Sequence, residues 1–141
     1  MKVAEVMSRD VEFIDENVPV SDAAVMMGEL EVGALPVGSA ERLLGILTDR
    51  DILYRVVAKG LDCSAIRVRE VMTRPVIGCG EDDALQAVMD IMASHHIRRM
   101  PVRDAVGRTI GWITLANLSR RLLLDSGTLQ KALREITEAP A

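Results

Sequence analysis

The chain has 141 residues, a formal net charge of −4 and only three aromatic residues. This composition argues against a nucleic-acid partner, because such binders need unopposed positive charge for phosphates and aromatic rings on which bases stack. Since no apolar run is long enough to span a bilayer and no signal-peptide core follows Met1, we expect a cytoplasmic protein with no membrane partner.

Two stretches of the chain are similar to each other at an offset of 65 residues, which becomes 66 in the loop that follows residue 37. The matching segments are 3–7 and 68–72, 35–37 and 100–102, and 45–48 and 111–114. A self-similarity of this length indicates two copies of one structural unit. We therefore divide the chain into copy 1 (1–60), a connecting segment (61–67), copy 2 (68–124) and a C-terminal helical extension (125–141).

Both copies contain the same predicted elements in the same order. A short strand near Val11 or Val76 comes first, then a helix, then two strands joined by a hairpin, then a second helix. The helices are predicted at 20–30, 48–60, 85–95 and 114–124, and the hairpin strands at 34–37, 43–47, 99–102 and 109–113. Because one copy alone would bury little surface, we expect the two to pack on each other and share a core.

The junction between the second hairpin strand and the second helix carries the residues with chemical interest. In copy 1, Thr48 and Asp51 have the spacing of a capping box, which by itself would only begin a helix. The same geometry can bind a ligand, since a helix N-terminus attracts anions and a carboxylate in the first turn can accept hydrogen bonds from a ribose diol. The preceding Gly45 would let such a ligand approach the backbone. Both interpretations stay open.

Cysteine and histidine give little support for metal or redox chemistry. Cys63 and Cys79 form no metal-binding motif, and we interpret them as free thiols, with a regulatory disulfide as the alternative. His95 and His96 are adjacent and point in different directions on a helix. We therefore predict no metal site. Since no catalytic triad, phosphate-binding loop or pair of carboxylates stands out, we also predict no enzymatic activity.

The sequence resembles a tandem pair of cystathionine β-synthase (CBS) domains, also called a Bateman module. The resemblance rests on the paired Val-x-Glu-Val-Met openings, the Leu-Pro-Val strand and the run Gly-Ile-Leu-Thr-Asp-Arg-Asp-Ile, and it covers residues 3 to about 124. These motifs are similar to those of small stand-alone bacterial members of the hypoxic-response-protein type. The resemblance implies an α+β fold in which two β-α-β-β-α repeats pack through their sheets about a pseudo-twofold axis, with clefts between them that bind adenosyl ligands.

The resemblance also implies roles for residues of copy 1. Asp51 would hold the ribose, Thr48 would reach the phosphates and Ile46 would line the adenine pocket. Arg50, Arg98 and Arg99 are candidates to meet a phosphate, and solvated surface charge is the alternative for each.

Copy 2 departs from the family pattern at two positions. Asn117 replaces the ribose carboxylate, and an amide bonds a hydroxyl without assistance from charge. Trp112 stands where copy 1 has Ile46, so it would stack on adenine, fill the cleft or simply pack on the core. Thr114 matches Thr48. We therefore include Trp112, Thr114 and Asn117 as nucleotide-binding candidates of a second site.

The resemblance implies a regulatory module with no required cofactor. AMP, ADP and ATP are the first candidate ligands, and S-adenosylmethionine and NAD(H) rank after them. Ligand binding would change conformation or assembly, and an unidentified protein partner would read the change. The alternative is a ligand-independent dimeric scaffold in which Thr-x-x-Asp only caps helices. In either case we expect a homodimer.

Overall fold

The computed structural model describes residues 1–124 and, beyond them, residues 127, 131, 134, 135 and 137. These five residues are helical, and the rest of the predicted extension 125–141 lies outside the described residues. A short 3-10 helix at Val3–Glu5 opens the chain. The labelled elements are α1 (Val20–Leu30), β1 (Ala34–Gly38), β2 (Leu43–Thr48), α2 (Asp49–Ile52), α3 (Val68–Val71), β3 (Cys79–Gly80), α4 (Leu85–His95), β4 (Arg99–Arg103), β5 (Thr109–Thr114) and α5 (Leu115–Leu123).

The predicted α+β repeat is confirmed, and the two hairpins have the same register. Pro36 lies opposite Ile46 in the β1–β2 hairpin, and Pro101 lies opposite Trp112 in the β4–β5 hairpin. The second helix of copy 1 differs from its counterpart α5, because α2 continues as a π-helix at Leu53–Val57. The two copies thus present equivalent strand-to-helix junctions at Thr48 and Thr114.

The first predicted strand of each copy is placed wrongly in the sequence analysis. No strand forms at Val11 or Val76. In copy 2 the strand is β3, a few residues later, which pairs in parallel with β4, and in copy 1 only an isolated bridge joins Ile14 to Val37. The reason is that residues 8–14 and 73–79 cross from the hairpin of one copy to the hairpin of the other before they can pair.

Each copy contributes its opening segment to the core of the other copy. Val3 is fully buried against copy 2, whereas Val68 is fully buried against copy 1. The core around Val3 contains Cys79, Leu85, Val88, Met92, Met100, Val102, Ile113 and Leu118. The core around Val68 contains Ile14, Val20, Ala23, Met27, Leu35, Val37, Leu47, Val56, Val71 and Met72. The two copies are therefore tied together by exchanged segments.

Backbone pairing fixes the exchanged segments on the second strand of each hairpin. Ile46 and Thr73 each donate a backbone N–H to the carbonyl of the other, with N–O distances of 3.0 and 2.8 Å. Trp112 and Ser8 do the same, and both distances are 2.8 Å. We call residues 8–14 and 73–79 the crossing segments. Their contact with β2 and β5 places residues of both copies side by side.

Glycine makes this pairing sterically feasible. A Cβ atom on Gly45 would lie 2.8 Å from the sulfur of Met72 and 2.9 Å from the carbonyl oxygen of Thr73. A Cβ atom on Gly111 would collide with the carbonyl oxygen of Ser8. Gly45 therefore permits the close approach of the crossing segment, and the approach of a ligand to this glycine stays a prediction.

The two cysteines are free thiols that belong to different cores. Cys63 lies against the copy 1 core, and Cys79 is buried in the copy 2 core. Burial, with a smaller contribution from the charge of Asp83, raises the pKa of the Cys79 thiol to about 11. Cys79 is consequently a neutral, unreactive thiol at neutral pH. Through the part of the chain that the structure describes, no helix has both the length and the apolar character to cross a membrane.

Substitution of Gly45 tests the exchanged architecture. We expect Gly45→Ala to lower the free energy of unfolding by about 2 kcal/mol, because the added methyl group forces β2 and the crossing segment apart. Gly28→Ala is the matched control. Gly28 lies in α1 with open space around it, so alanine there should raise stability by about 0.5–1 kcal/mol. Urea unfolding of the two variants measures both effects, and equal stabilities would contradict the packing described.

Candidate functional site

Two clefts lie between the copies, one on each crossing segment. The first cleft has a volume of about 480 Å³. Its lining comprises Ile46, Thr48, Asp49, Arg50, Thr73, Pro75, Val76, Ile77, His96, Ile97, Arg98 and Arg99. Since three arginines face a single lining carboxylate, Asp49, we call this the basic cleft.

The second cleft is related to the first by the internal repeat and has a volume of about 550 Å³. Its lining comprises Ser8, Asp10, Glu12, Leu30, Val32, Ala34, Leu35, Pro36, Arg99, Trp112, Thr114 and Asn117. Here the two carboxylates of Asp10 and Glu12 face one arginine, so we call this the acidic cleft.

The structure brings most of the predicted site residues together in two groups. Ile46, Thr48 and Arg50 from copy 1 share the basic cleft with Arg98 and Arg99 from copy 2. The second-site candidates share the acidic cleft; they are Trp112, Thr114 and Asn117. Arg99 lines both clefts.

Asp51 is the predicted residue that does not line a cleft. It lies beneath the basic cleft and is only 7% exposed. The backbone N–H of Thr48 donates to Asp51 Oδ2 at 3.0 Å, and the backbone N–H of Asp51 donates to Thr48 Oγ1 at 3.0 Å. The predicted capping box is therefore present in the structure.

A residue that the sequence analysis missed also engages Asp51. The hydroxyl of Thr73 donates to Asp51 Oδ1 and Oδ2 at 3.0 and 3.2 Å, respectively. Thr73 belongs to the crossing segment, so this carboxylate connects the start of α2 to copy 2. A carboxylate has about four acceptor positions, which leaves capacity for a further donor.

Arg55 supports the same carboxylate from the π-helix. Its Nε lies 3.8 Å from Asp51 Oδ1. Its Nη1 donates to the carbonyl oxygens of Val71 and Met72 at 2.9 and 3.2 Å. Arg55 thus joins Asp51 to the end of α3, where the crossing segment begins. Because the Arg55 side chain is nearly half exposed, water weakens its attraction to the carboxylate.

Copy 2 builds the equivalent junction with an amide. The backbone N–H of Thr114 donates to Asn117 Oδ1 at 3.0 Å, and that of Asn117 donates to Thr114 Oγ1 at 3.1 Å. The capping function is therefore retained when asparagine replaces aspartate. What Asn117 lacks is the negative charge.

Other cleft residues also escaped the sequence analysis, namely Ser8, Asp10, Glu12, Asp49, Pro75, Ile77, His96 and Ile97. The internal repeat could have indicated two of the missed residues, because Ser8 and Thr73 are equivalent positions directly after the matched segments 3–7 and 68–72. Their place in a cleft depends on the crossing, which no local pattern reveals. His96 ends α4 in a left-handed conformation with φ of 54°, which turns the chain back toward β4.

Comparison with known proteins identifies the repeated unit. The sequence model of the CBS domain matches residues 3–58 and again residues 68–124. Hypoxic response protein 1 of Mycobacterium tuberculosis is 33% identical over 119 residues, which cover 84% of this chain and 82% of that protein. A solved structure of Hypoxic Response Protein I with two coordinated zinc ions has a TM-score of 0.75 at 31% identity, and covers 86% of this chain and 98% of that one.

Two further solved structures have the same fold. A protein with CBS domains from Burkholderia ambifaria has a TM-score of 0.83 at 30% identity, and the match covers 89% of this chain and 96% of that chain. A hexameric CBS-CP12 protein from bloom-forming cyanobacteria has a TM-score of 0.76 at 29% identity, and the match covers 84% of this chain and 66% of that chain. Within the described residues of the present chain, no group of three or more His, Cys, Asp or Glu side chains could hold a metal ion.

The Thr73–Asp51 bond should contribute measurably to stability. We expect Thr73→Val to lower the free energy of unfolding by about 1–2 kcal/mol, because it removes the donor from a largely buried carboxylate while keeping the shape of the side chain. Thr73→Ser keeps the hydroxyl and serves as the control. Chemical denaturation of the three proteins measures the difference, and a valine variant as stable as the serine variant would contradict the assignment.

Proposed function

Because this chain belongs to the CBS domain family as a tandem pair, we propose that it is a regulatory module that binds a phosphorylated adenosyl ligand in the basic cleft. CBS pairs are generally regulatory and often bind adenosyl ligands. One observation carries the proposal for this chain: Ile46 and Thr48 of copy 1 face Arg98 and Arg99 of copy 2 across one cavity. AMP, ADP and ATP are the first candidates for this phosphorylated ligand, followed by NAD(H). S-adenosylmethionine, which has no phosphate, is the remaining adenosyl candidate for the module.

The geometry supports a division of roles within the basic cleft. Ile46, with the apolar residues of the crossing segment opposite, offers a surface for the adenine ring. The Thr48 hydroxyl and the guanidinium groups of Arg50, Arg98 and Arg99 offer donors to phosphate oxygens, and guanidinium is suited to bidentate phosphate binding. Asp51 lies below Thr48, so a ribose hydroxyl would bond it beside the Thr73 hydroxyl or in its place.

Ligand binding in this cleft would change how the two copies are arranged relative to each other. The ligand would contact side chains of both copies at once, so it would favour the arrangement in which the cleft is best formed. Such a shift requires different affinities for two arrangements. Stand-alone tandem CBS proteins are regulatory rather than catalytic, and we propose no catalytic step for this chain.

A ligand-independent scaffold is the second candidate function, and one observation favours it. Asp51 is already occupied by the Thr48 backbone and the Thr73 hydroxyl. These bonds explain why a carboxylate stands at this position without any ligand. Under this alternative the Thr-x-x-Asp motif only begins α2 and anchors the crossing segment.

Nucleotide titration separates the two candidates, and Asp51→Asn is the variant of choice. Asn117 forms the same capping box, so asparagine at position 51 should preserve the fold and remove only the charge. We expect a nucleotide at about 100 times its Kd to stabilise the protein by roughly 2.7 kcal/mol, which raises Tm by several degrees. In Asp51→Asn the affinity should fall about tenfold, because a charge-assisted bond is lost.

The readout is a thermal shift with AMP, ADP and ATP, confirmed by calorimetric titration. Asn117→Ala is a control, because it disturbs only the junction at the other cleft. No shift with any nucleotide would favour the scaffold. Binding that is unchanged in Asp51→Asn would remove Asp51 from the site.

We propose further that the protein is a homodimer that associates through an exposed apolar face of the π-helix region. Three large apolar residues of the π-helix, and Leu61 just beyond the turn that ends it, are more than two-fifths exposed. They are Leu53, Tyr54, Val57 and Leu61. CBS pair proteins commonly oligomerise, and the cyanobacterial neighbour is a hexamer.

Sedimentation should show twice the monomer mass for the wild-type protein, because burial of this face favours association. Tyr54→Glu should shift it to monomer at equal concentration, since a charge would then be buried at the contact. Val106→Glu, on a hairpin turn, is the matched control and should leave the dimer intact. A wild-type monomer at all concentrations would contradict the proposal.

A further inference from the structure

Most charge differences between equivalent positions of the two clefts run in one direction. The exception in the lining is Asp49 of the basic cleft, which is equivalent to the neutral Leu115 of copy 2. Asp10 and Glu12 of the acidic cleft stand where the basic cleft has Pro75 and Ile77. Ala34, which lines the acidic cleft, is equivalent in the internal repeat to Arg99, which lines the basic cleft. With the exception at Asp49, every one of these differences makes the acidic cleft more negative or less positive.

Residues at the strand-to-helix junctions, where α2 and α5 begin, also differ in charge between the two clefts. Arg50 in the first turn of α2 corresponds to Ala116 in the first turn of α5, so the acidic cleft lacks that cation. Asp51 and Asn117 differ in the opposite sense, but Asp51 is buried and bonded to Thr48 and Thr73. The one cation of the acidic cleft among the described residues is Arg99, which also lines the basic cleft.

This charge distribution is unsuited to a polyphosphate. A di- or triphosphate tail brings several negative charges into a cavity where two carboxylates lack cations of their own, and like charges at short range repel. A cationic tail meets the reverse situation, because both carboxylates attract it. The Trp112 ring adds to this preference, since the face of an aromatic ring attracts cations.

We propose that the acidic cleft binds an adenosyl ligand with a cationic sulfonium or ammonium tail and excludes nucleoside polyphosphates, so that the two clefts select different ligands by charge. The inference rests on the proposed function, since it assumes that both clefts receive an adenosyl group. In the acidic cleft, Trp112 contacts the base, Thr114 and Asn117 bond the sugar region, and Asp10 and Glu12 face the tail.

Trp112 makes the proposal directly testable, because it is the single tryptophan of the chain and it lines the acidic cleft. Its fluorescence therefore reports occupancy of that cleft alone, whereas a thermal shift reports binding anywhere. We expect S-adenosylmethionine to change the Trp112 emission saturably. ATP should raise Tm through the basic cleft and leave the emission unchanged.

The paired variant Asp10→Asn/Glu12→Gln removes both charges with little change of shape. It should weaken S-adenosylmethionine binding about tenfold, as expected for two partly screened charges, and leave adenosine binding unchanged because adenosine has no charged tail. Asp51→Asn, beneath the basic cleft, is the matched control. It should weaken ATP and leave the fluorescence titration with S-adenosylmethionine unchanged.

The outcomes separate this inference from the proposed function. If ATP stabilises the protein but S-adenosylmethionine does not alter the Trp112 emission, charge selection is wrong while the nucleotide module stands. Charge selection is equally wrong if the paired variant binds S-adenosylmethionine as tightly as the wild-type protein does, or if ATP alone perturbs Trp112. If no adenosyl compound binds at all, the proposed function fails as well.

Discussion

The pairing of each crossing segment with the second strand of the opposite hairpin is the contact on which the rest of the structure depends. The Ile46–Thr73 and Ser8–Trp112 backbone pairs carry the chain from one copy to the other, and Gly45 and Gly111 leave the space that these pairs require. Because the openings are exchanged, each core includes residues of both copies. The clefts exist for the same reason, since each is bounded by a hairpin of one copy and a crossing segment of the other.

Asp51 shows how one side chain can serve the fold and the proposed site together. It caps α2, accepts the Thr73 hydroxyl of the crossing segment and lies near Arg55, which in turn holds the end of α3. A ligand that engages this carboxylate would act on both elements at once. For that reason truncation of Asp51 mixes loss of stability with loss of binding, whereas the amide seen at Asn117 separates them.

The sequence predicts the local structure of this chain well and its long-range connections poorly. Repeat matching placed the hairpins and helices, and the family resemblance selected Ile46, Thr48, Arg98 and Arg99, which the structure gathers in one cleft. The exchange of the openings escaped prediction, because it depends on pairing between residues far apart in the chain. The Thr73–Asp51 bond and the position of Asp10 and Glu12 in a cleft follow from the exchange, so they could not be predicted either. The family prediction, in contrast, needed only the short motifs, and the comparisons confirm it.

In the proposed function, a ligand in the basic cleft joins the two copies. Hydrogen exchange of the backbone amides, with and without saturating ATP, is the measurement of choice because it reports each copy separately. The proposed binding mode predicts simultaneous protection of residues 46–51 in copy 1 and 96–99 in copy 2, with slower exchange at the Thr73 amide between them. Protection confined to one copy, or none at a concentration where ATP is bound, would contradict it.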